Sequence, residues 1–396
     1  MHKQSNNMNT NKPNIKPNNP NFSSGPTTKR PGWTTNHLQF ALLGRSHRSP
    51  ECKAQLKKVI EKSKEILSFP NNYLLGIMPG SDTGALEAAL WCLLGERGID
   101  ILAWENFGKD WVKDVVDQLQ IENRNVHVAD YGALPDLSKV NFTNDVIFTW
   151  NGTTSGVKVP NGDWIPSERK GLTICDATSA IFAMPIDYEK CDVITWSWQK
   201  VLGGEAAHGM LALSPRTIDR LQSFTPSWPI PKVFRLTNKN KVISGIFEGS
   251  TINTTSMICV EDAIDTLNWV ENIGGLKQLI QSSQNSFEVI YQWIQKNHWV
   301  SFLAIKLDKK YLSNTSITFK IVENWFNILR ENEQRIIMKD ICKKLSDNNV
   351  AFDINGYPKA PPSFRIWGGA TVNTKDIEIL LPWIEWSYEE VKKKYA

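Results

Sequence analysis

The apolar positions of the chain alternate between short β-forming runs and longer stretches with helical spacing. YLLGIM (73–78) is typical of a buried strand, and in the following SDTGALEAALWCLLGE (81–96) apolar residues recur every three to four positions, as in a helix. Further strands are predicted at DILAW (100–104), NVHVAD (125–130), DVIFTW (145–150), GLTICD (171–176), DVITWSW (192–198) and GMLALS (209–214). Strands that alternate with helices favour an α/β fold with a mainly parallel sheet covered on both faces.

The pattern also predicts how the chain divides. Residues 1–20 are rich in Asn, Lys and Pro with few apolar side chains, which predicts a disordered tail. After residue 262 long amphipathic helices dominate, followed by a few strands. We therefore expect a segment at 21–41 that packs with the smaller domain, a large domain at 42–261 and a smaller α+β domain at 262–396.

Charge and cysteine usage narrow the classes of partner. The 396 residues contain 45 Lys plus Arg and 41 Asp plus Glu, and the net charge of +4 is spread without a basic run. This argues against a nucleic-acid partner or an anionic membrane surface and favours small molecules or proteins. No apolar stretch is long enough to span a membrane, no secretion signal precedes the fold, and the six cysteines form no CxxC pair, so we expect a cytoplasmic protein with reduced thiols.

Chemically active side chains follow several of the predicted strands. In an open α/β sheet the ligand lies at the carboxyl ends of the strands. The residues that follow the strand runs are PGSDTGA (79–85), Trp104, NGTTSG (151–156), Asp176, and the pair Gln199 and Lys200.

PGSDTGA could bind a phosphate through backbone N–H groups and the hydroxyls of Ser81 and Thr83. The simpler interpretation is a helix N-cap at Ser81 or Asp82, and the charge of Asp82 opposes a phosphate unless its side chain turns away. The stretch matches neither GxxxxGK[ST] nor GxGxxG, the motifs typical of mononucleotide and dinucleotide binding, which argues against a nucleotide cofactor.

Asp176 and Trp104 each allow two interpretations. Asp176 follows the apolar run LTIC, so it is either a helix N-cap or a buried charge held against a protonated ring nitrogen. Trp104 is either a core residue or a flat surface that stacks on a planar ring.

Lys200 is the most informative residue. It ends a buried type of strand and precedes Gly203 and Gly204, a setting that desolvates an amine and lowers its pKa toward nucleophilic reactivity. A phosphate cup, a flat aromatic ring, a buried Asp and a desolvated Lys at one sheet edge together predict a pyridoxal 5′-phosphate site, in which Lys200 binds the cofactor aldehyde.

The chain resembles the phosphoserine aminotransferases, which are pyridoxal-phosphate enzymes of the aspartate-aminotransferase fold type (fold type I). It is similar to the subgroup that carries PGSDTGA, TWNGTTSGVKVPNGDWIP, ICDATSA and SWQKVLGGEAAHGM, and the resemblance runs from NFSSGP (21–26) to SFRIWGG (363–369). More widespread members have a Gly-Gly-x-Thr-like cup in place of GSDT. The resemblance implies a large domain with a seven-stranded sheet.

The resemblance also implies residue roles. Lys200 would hold the cofactor, Asp176 would pair with its ring nitrogen, Trp104 would stack on the ring and Thr154 would bond the ring hydroxyl. The cofactor phosphate would be bound by Ser81, Asp82, Thr83 and Gln199, and by Asn253 and Thr254 across a homodimer interface. The substrate phosphate would be bound by His47 and Arg48, and the substrate carboxylate by Arg365.

The implied reaction is a ping-pong transamination in serine biosynthesis. It interconverts 3-phosphohydroxypyruvate plus L-glutamate and O-phospho-L-serine plus 2-oxoglutarate, and a second role in vitamin B6 biosynthesis stays open. The alternatives are a serine–glyoxylate aminotransferase or a cysteine desulfurase of the same fold, or a non-catalytic protein that binds a phosphate ligand. A desulfurase needs a cysteine in a flexible loop, whereas Cys342 lies in a helical pattern.

Overall fold

Seven strands form the central sheet of the computed structural model, which describes residues 11–306 and 308–396. The strands of the chain are β1 (Leu74–Pro79), β2 (Ile99–Ala103), β3 (Arg124–Val128), β4 (Asp145–Thr149), β5 (Asn151–Gly152), β6 (Val157–Lys158), β7 (Thr173–Asp176), β8 (Val193–Ser197), β9 (His208–Leu213), β10 (Thr237–Asn238), β11 (Lys241–Val242), β12 (Val300–Phe302), β13 (Ser316–Ile321) and β14 (Phe364–Trp367). The order in the central sheet is β1-β9-β8-β7-β4-β2-β3. Only β9 runs antiparallel to its neighbours, so the predicted mainly parallel α/β sheet is confirmed.

Helices cover both faces of this sheet. They are α1 (Pro50–Leu67), α2 (Ser81–Leu93), α3 (Asn106–Lys113), α4 (Pro215–Ser223), α5 (Met257–Asn272), α6 (Gly275–Lys296), α7 (Asn324–Asn327), α8 (Glu331–Asp347) and α9 (Thr374–Tyr395). A π-helical turn at Asp114–Gln118 continues α3. Among the described helices, none is long and apolar enough to cross a lipid bilayer.

Because side chains alternate along each strand, they pack into two apolar cores, one on each face of the sheet. Ile101 and Ile174 point to the face on which α2 packs, whereas Leu102 and Cys175 point to the face covered by α1 and α5. Successive residues of a strand face opposite sides of the sheet, and both sides are buried here. This alternation decides on which side of the sheet each strand-terminal residue lies.

The C-terminal part of the chain contains a second, smaller sheet. Strands β12, β13 and β14 are antiparallel, and α6 and α9 pack beside them. The domain boundaries at residues 41 and 261 stay predictions, because the larger apolar core continues from the central sheet into this region.

The prediction of a disordered tail at residues 1–20 is wrong for residues 11–20, while residues 1–10 lie outside the described residues. The backbone N–H of Asn18 donates to Asp376 (2.7 Å), and the indole of Trp383 donates to the carbonyl oxygen of Ile15 (2.7 Å). The ammonium of Lys12 lies over the ring of Trp386. Polar and cation–π contacts to α9 hold this segment, and a prediction based on missing apolar side chains does not detect them.

Candidate active site

A cavity of about 280 Å³ opens where β7 and β8 end and α2 begins. Its walls include Gly25, Pro26, Ser81, Asp82, Thr83, Phe107, Trp111, Thr153, Asp176, Thr178, Ser197, Gln199, Lys200 and Ala206. Six of the residues predicted from the sequence therefore meet here: Ser81, Asp82, Thr83, Asp176, Gln199 and Lys200. This is the sheet edge at which a doubly wound fold binds its ligands.

Lys200 lies three residues after the end of β8, and its amine points into the cavity. The Nζ atom donates to the carbonyl oxygen of Ser24 (2.5 Å). Burial, reinforced by the charge of Arg365, lowers the pKa of the Lys200 amine to about 8. About a tenth of the amine is thus uncharged at pH 7, far more than in an ordinary lysine, and this fraction can act as a nucleophile.

The N-terminus of α2 forms the anion cup that PGSDTGA suggested. Gly80 and Ser81 have positive φ angles, and their N–H groups are both bonded to the carbonyl oxygen of Ala207. The first turn of a helix leaves N–H groups without intrahelical acceptors, and Asp82 and Thr83 of this first turn line the cavity. The side-chain amide of Gln199 donates to the Ser81 hydroxyl (2.7 Å) and completes the cup.

Gly84 allows this helix start to form. A Cβ atom at Gly84 would lie 1.9 Å from the carbonyl oxygen of Pro79, so no other residue fits without moving the backbone. The glycine of PGSDTGA is therefore explained by the close approach of β1 to the first turn of α2.

Asp176 ends β7 and is 8 % exposed. Its Oδ1 accepts the N–H of Thr178 (2.9 Å), and its Oδ2 accepts the indole N–H of Trp111 (3.2 Å). The carboxyl group is thus fixed on the α2 side of the sheet, where it can face a protonated ring nitrogen.

Two of the predicted cofactor contacts, Trp104 and Thr154, do not line the cavity. Trp104 is completely buried in the core on the opposite side of the sheet, and its indole donates to the carbonyl oxygen of Val157 (2.9 Å). Strand alternation places it on the face of Leu102 rather than on the face of Asp176. The aromatic rings that do line the cavity are Phe107 and Trp111, one turn apart on α3. Two aromatic residues four positions apart, just after a predicted strand, were the pattern from which these rings could have been predicted to line the site.

Thr154 is the second predicted contact that does not line the cavity. Its hydroxyl donates to Oε2 of Glu105 (2.7 Å) and accepts the N–H of Asn106 (3.2 Å), and its side chain is fully buried outside the cavity. The preceding residue, Thr153, lines the cavity instead. Thr153 and Thr154 form a turn after β5, where no regular periodicity tells which of two neighbouring threonines faces a ligand.

Glu105 also supports this corner of the site, although it was not predicted from the sequence. It is fully buried, caps α3 by accepting the N–H of Gly108 (2.7 Å), and also accepts the N–H of Thr154 (3.2 Å). Burial raises the pKa of this carboxyl group, and these hydrogen bonds oppose the shift. Its position after a strand and at the start of a helix was the signal that could have identified it.

Arg365 lies next to the cavity on β14. Its guanidinium donates to the carbonyl oxygen of Thr153 (3.5 Å) and lies over the ring of Tyr357. The Nε atom is buried and has no hydrogen-bond partner among the described residues, so it is available to an anion.

The four remaining predicted residues do not line this cavity. His47 and Arg48 lie in the loop before α1, and Arg48 is exposed. Asn253 and Thr254 lie in the segment before α5, where the Asn253 amide donates to the carbonyl oxygen of Thr254 (3.0 Å). Within one copy of the chain the structure does not bring them to Lys200.

The polar atoms around the cavity fit a ligand with both a phosphate and a polar ring. Several buried side-chain atoms make no hydrogen bond within the described part of the chain: Asp82 Oδ1, Thr178 Oγ1, Thr195 Oγ1, Ser197 Oγ and Gln199 Oε1. Buried polar groups are normally paired, so this set indicates a site shaped for a partner. An anion cup, a carboxylate and an uncharged amine match the phosphate, ring nitrogen and aldehyde of pyridoxal phosphate.

Comparisons with known proteins agree with this geometry. The family model for class-V aminotransferases matches residues 132–350. Phosphoserine aminotransferases of Methanosarcina mazei and Methanosarcina barkeri are each 53 % identical over 381 residues, which covers 96 % of this chain and 100 % of theirs. The chain belongs to the phosphoserine aminotransferase family. It is accordingly a pyridoxal-phosphate-dependent aminotransferase, as the sequence predicted.

Solved structures share the fold. A phosphoserine aminotransferase from Cytophaga hutchinsonii superimposes with a TM-score of 0.75 at 19 % identity, over 93 % of this chain and 99 % of that one. The pyridoxal-phosphate-bound enzyme from Trichomonas vaginalis gives a TM-score of 0.72 at 16 % identity, again over 93 % and 99 %. At these identities the likeness shows a common fold and confirms the predicted fold class.

Proposed function

We propose that this enzyme transfers the amino group of L-glutamate to 3-phosphohydroxypyruvate, giving O-phospho-L-serine and 2-oxoglutarate, and that it serves serine biosynthesis. The observation that carries the proposal is the Lys200 amine, which points into a cavity that also holds Asp176 and the N-terminus of α2. The 53 % identity to phosphoserine aminotransferases supports the choice of substrates.

The cofactor site is assigned to residues that line the cavity. When bound, pyridoxal phosphate supplies a reactive aldehyde and a ring that withdraws electrons from the substrate Cα. Ser81, Thr83 and Gln199 bind the phosphate, and Asp176 faces the ring nitrogen. The remaining contacts are Thr153 for the ring hydroxyl, and Phe107 or Trp111 for the ring face.

Lys200 has two roles in this proposal. Its uncharged amine would hold the cofactor through the aldehyde, and, when free, the same amine would take the proton from the substrate Cα. A base with a pKa of about 8 can both accept and return a proton near neutral pH. Lys200 would move the proton in one direction while glutamate is converted to 2-oxoglutarate, and in the reverse direction while 3-phosphohydroxypyruvate receives the amino group and becomes O-phospho-L-serine.

Arg365 binds the α-carboxylate that both substrates carry. Its guanidinium can form two parallel hydrogen bonds with a carboxylate, which a lysine cannot do. The contact with Thr153 places this group beside the cavity, and the unpartnered Nε supports an anion as its ligand.

A homodimer with shared sites accounts for the residues that lie away from the cavity. His47, Arg48, Asn253 and Thr254 lie in loops outside it, as expected if they complete the site of a second copy. The exposed side chains of Phe40 and Leu43 in the same loop as Arg48 support a contact with another chain. In this arrangement His47 and Arg48 bind the substrate phosphate.

The rival activities have less support. Cys342 lies on α8, and burial raises the pKa of its thiol to about 12, which does not suit the reactive cysteine of a desulfurase. We propose a cytoplasmic location, which the six free cysteines support.

The substrate assignment is tested with Arg48→Ala. We expect wild type to prefer 3-phosphohydroxypyruvate over hydroxypyruvate in kcat/KM, and Arg48→Ala to lose most of that preference while its rate with hydroxypyruvate changes little. Arg45→Ala, an exposed arginine of the same loop, is the matched control. An unchanged preference in Arg48→Ala would place the phosphate pocket elsewhere, and no glutamate-dependent transamination in wild type would overturn the proposed activity.

A further inference from the structure

Two carboxyl groups, those of Asp82 and Asp176, lie beside each other in the cavity wall. Asp82 is 7 % exposed and Asp176 is 8 % exposed, and their side chains are within hydrogen-bonding reach. The fold imposes this pairing, because Asp176 is in register with Thr195 across β7 and β8, and the first turn of α2 packs on the same face. The side chain of Asp82 thus lies near Asp176 and the hydroxyls of Thr178 and Thr195.

The two carboxyl groups have different sets of partners. Asp176 accepts hydrogen bonds from Thr178 N and Trp111 Nε1. The Oδ1 atom of Asp82 has no partner among the described residues, although the hydroxyls of Thr178 and Thr195 lie close to it.

The ionisable groups around this pair leave little positive charge to stabilise two anions. The Lys200 amine lies across the cavity from both carboxyl groups, the Cys175 thiol lies on the opposite face of the sheet, and the Glu105 carboxyl is near enough to Asp176 for their negative charges to repel. Burial, followed by the charge of Asp176, raises the pKa of Asp82 well above its ordinary value. Two buried carboxyl groups in contact do not ionise together, because the second charge would be neither solvated nor paired.

We propose that Asp82 is a positioning residue, an uncharged carboxylic acid that donates a hydrogen bond to Asp176 and so fixes the carboxylate that faces the cofactor ring nitrogen. The inference rests on the proposed cofactor site. The pair then carries one negative charge, which matches the single positive charge of a protonated ring. Asp82 contributes its backbone N–H to the phosphate cup and its side chain to the opposite end of the cofactor.

Infrared spectroscopy tests the protonation state directly. We expect the cofactor-loaded wild-type enzyme at neutral pH to show the C=O stretch of a buried carboxylic acid, and Asp82→Asn to lack it. Aspartate labelled with ¹³C at the carboxyl group shifts the same band in wild type, and a labelled band that remains above pH 8 is distinct from that of half-buried Asp114, whose pKa burial raises to about 7. Absence of the band in wild type, or its persistence in Asp82→Asn, would overturn the proposal.

Cofactor affinity tests the positioning role. The asparagine amide can still donate to Asp176, whereas alanine cannot, so Asp82→Ala should bind pyridoxal phosphate about tenfold more weakly than Asp82→Asn, the effect of one hydrogen bond to a charged group. Equal affinity of the two variants, or a greater loss in Asp82→Asn, would contradict a neutral donor. The infrared band does not depend on transamination, so failure of this proposal is distinguishable from failure of the proposed function.

Discussion

The amine of Lys200 lies 2.5 Å from the carbonyl oxygen of Ser24, so the N-terminal segment forms a wall of the cavity. This segment is held on both sides of the contact. Thr27 N donates to the carbonyl oxygen of Gln199 (3.0 Å), and Trp367 N donates to the carbonyl oxygen of Phe22 (3.1 Å). The segment therefore takes part in desolvating the lysine.

Gly25→Ala tests this wall. A Cβ atom at Gly25 would lie 2.2 Å from Lys200 Nζ, and the residue has a φ of +148°. We expect the variant to fold but to bind pyridoxal phosphate at least about tenfold more weakly, because either the lysine or the segment must move. The measurement is the cofactor dissociation constant from absorbance titration.

Gly275→Ala is the matched control for Gly25→Ala. Gly275 also has a positive φ, but a Cβ atom there would meet no atom within 4 Å. The Gly275→Ala variant should therefore lose only the stability that backbone strain costs, and its affinity for pyridoxal phosphate should stay unchanged. Equal losses in the two variants would attribute the effect to backbone strain and not to Lys200.

The pH dependence of cofactor attachment should follow Lys200. Burial and the charge of Arg365 lower the pKa of this amine to about 8 from its ordinary 10.5. Because only the uncharged amine attacks an aldehyde, the attachment rate should rise through pH 8 rather than through pH 10.5. Arg365→Gln removes a like charge, so its profile should move to higher pH. Stopped-flow absorbance measures both profiles, and a shift to lower pH in the variant would exclude the assigned contact.

Thr153 and Thr154 should respond differently to the same substitution. Thr153→Val alters a residue of the cavity wall, so it should change the visible spectrum and the affinity of the bound cofactor with little loss of stability. Thr154→Val removes a donor to the buried carboxyl group of Glu105, so the free energy of unfolding should fall by about 1–3 kcal/mol. Denaturant titrations and absorbance spectra of both variants check this, and the reverse pattern would restore Thr154 as the cofactor contact.

Mixed dimers test whether two copies share each site. Lys200→Ala and Arg48→Ala should each have little activity alone. In a dimer of one subunit of each kind, one site has both an intact Lys200 and an intact Arg48. Co-expression in equal amounts should thus restore about a quarter of wild-type activity with 3-phosphohydroxypyruvate, since half of the dimers are mixed and one of their two sites is intact. No recovery in isolated mixed dimers would mean that each site is built from one chain.

The strand ends of the central sheet were accessible to prediction. Asp176 and Lys200 follow apolar runs that could be recognised as strands, and the rule that ligands lie at the carboxyl ends of parallel strands brings them together. The family resemblance then supplied roles for both residues. The fold class followed from the same alternation of strands and helices.

The contacts that could not be predicted depend on turns and on tertiary packing. The side of the sheet on which Trp104 lies depends on the strand register, and the choice between Thr153 and Thr154 depends on a turn with no periodicity. The pairing of Asp82 with Asp176 joins a helix start to a strand end, 94 positions apart in the chain, for which local patterns carry no signal. The order of residues 11–20 likewise depends on polar groups of α9.

The most direct test of the account is to locate the cofactor on the chain. The cofactor-loaded enzyme is reduced with borohydride, digested and analysed by mass spectrometry. We predict a single pyridoxyl-phosphate label on the peptide that contains Lys200, and none on the corresponding peptide of Lys200→Ala. A label on another lysine, or a labelled Lys200→Ala protein with the spectrum of wild type, would contradict the assignment of Lys200 as the residue that binds the cofactor.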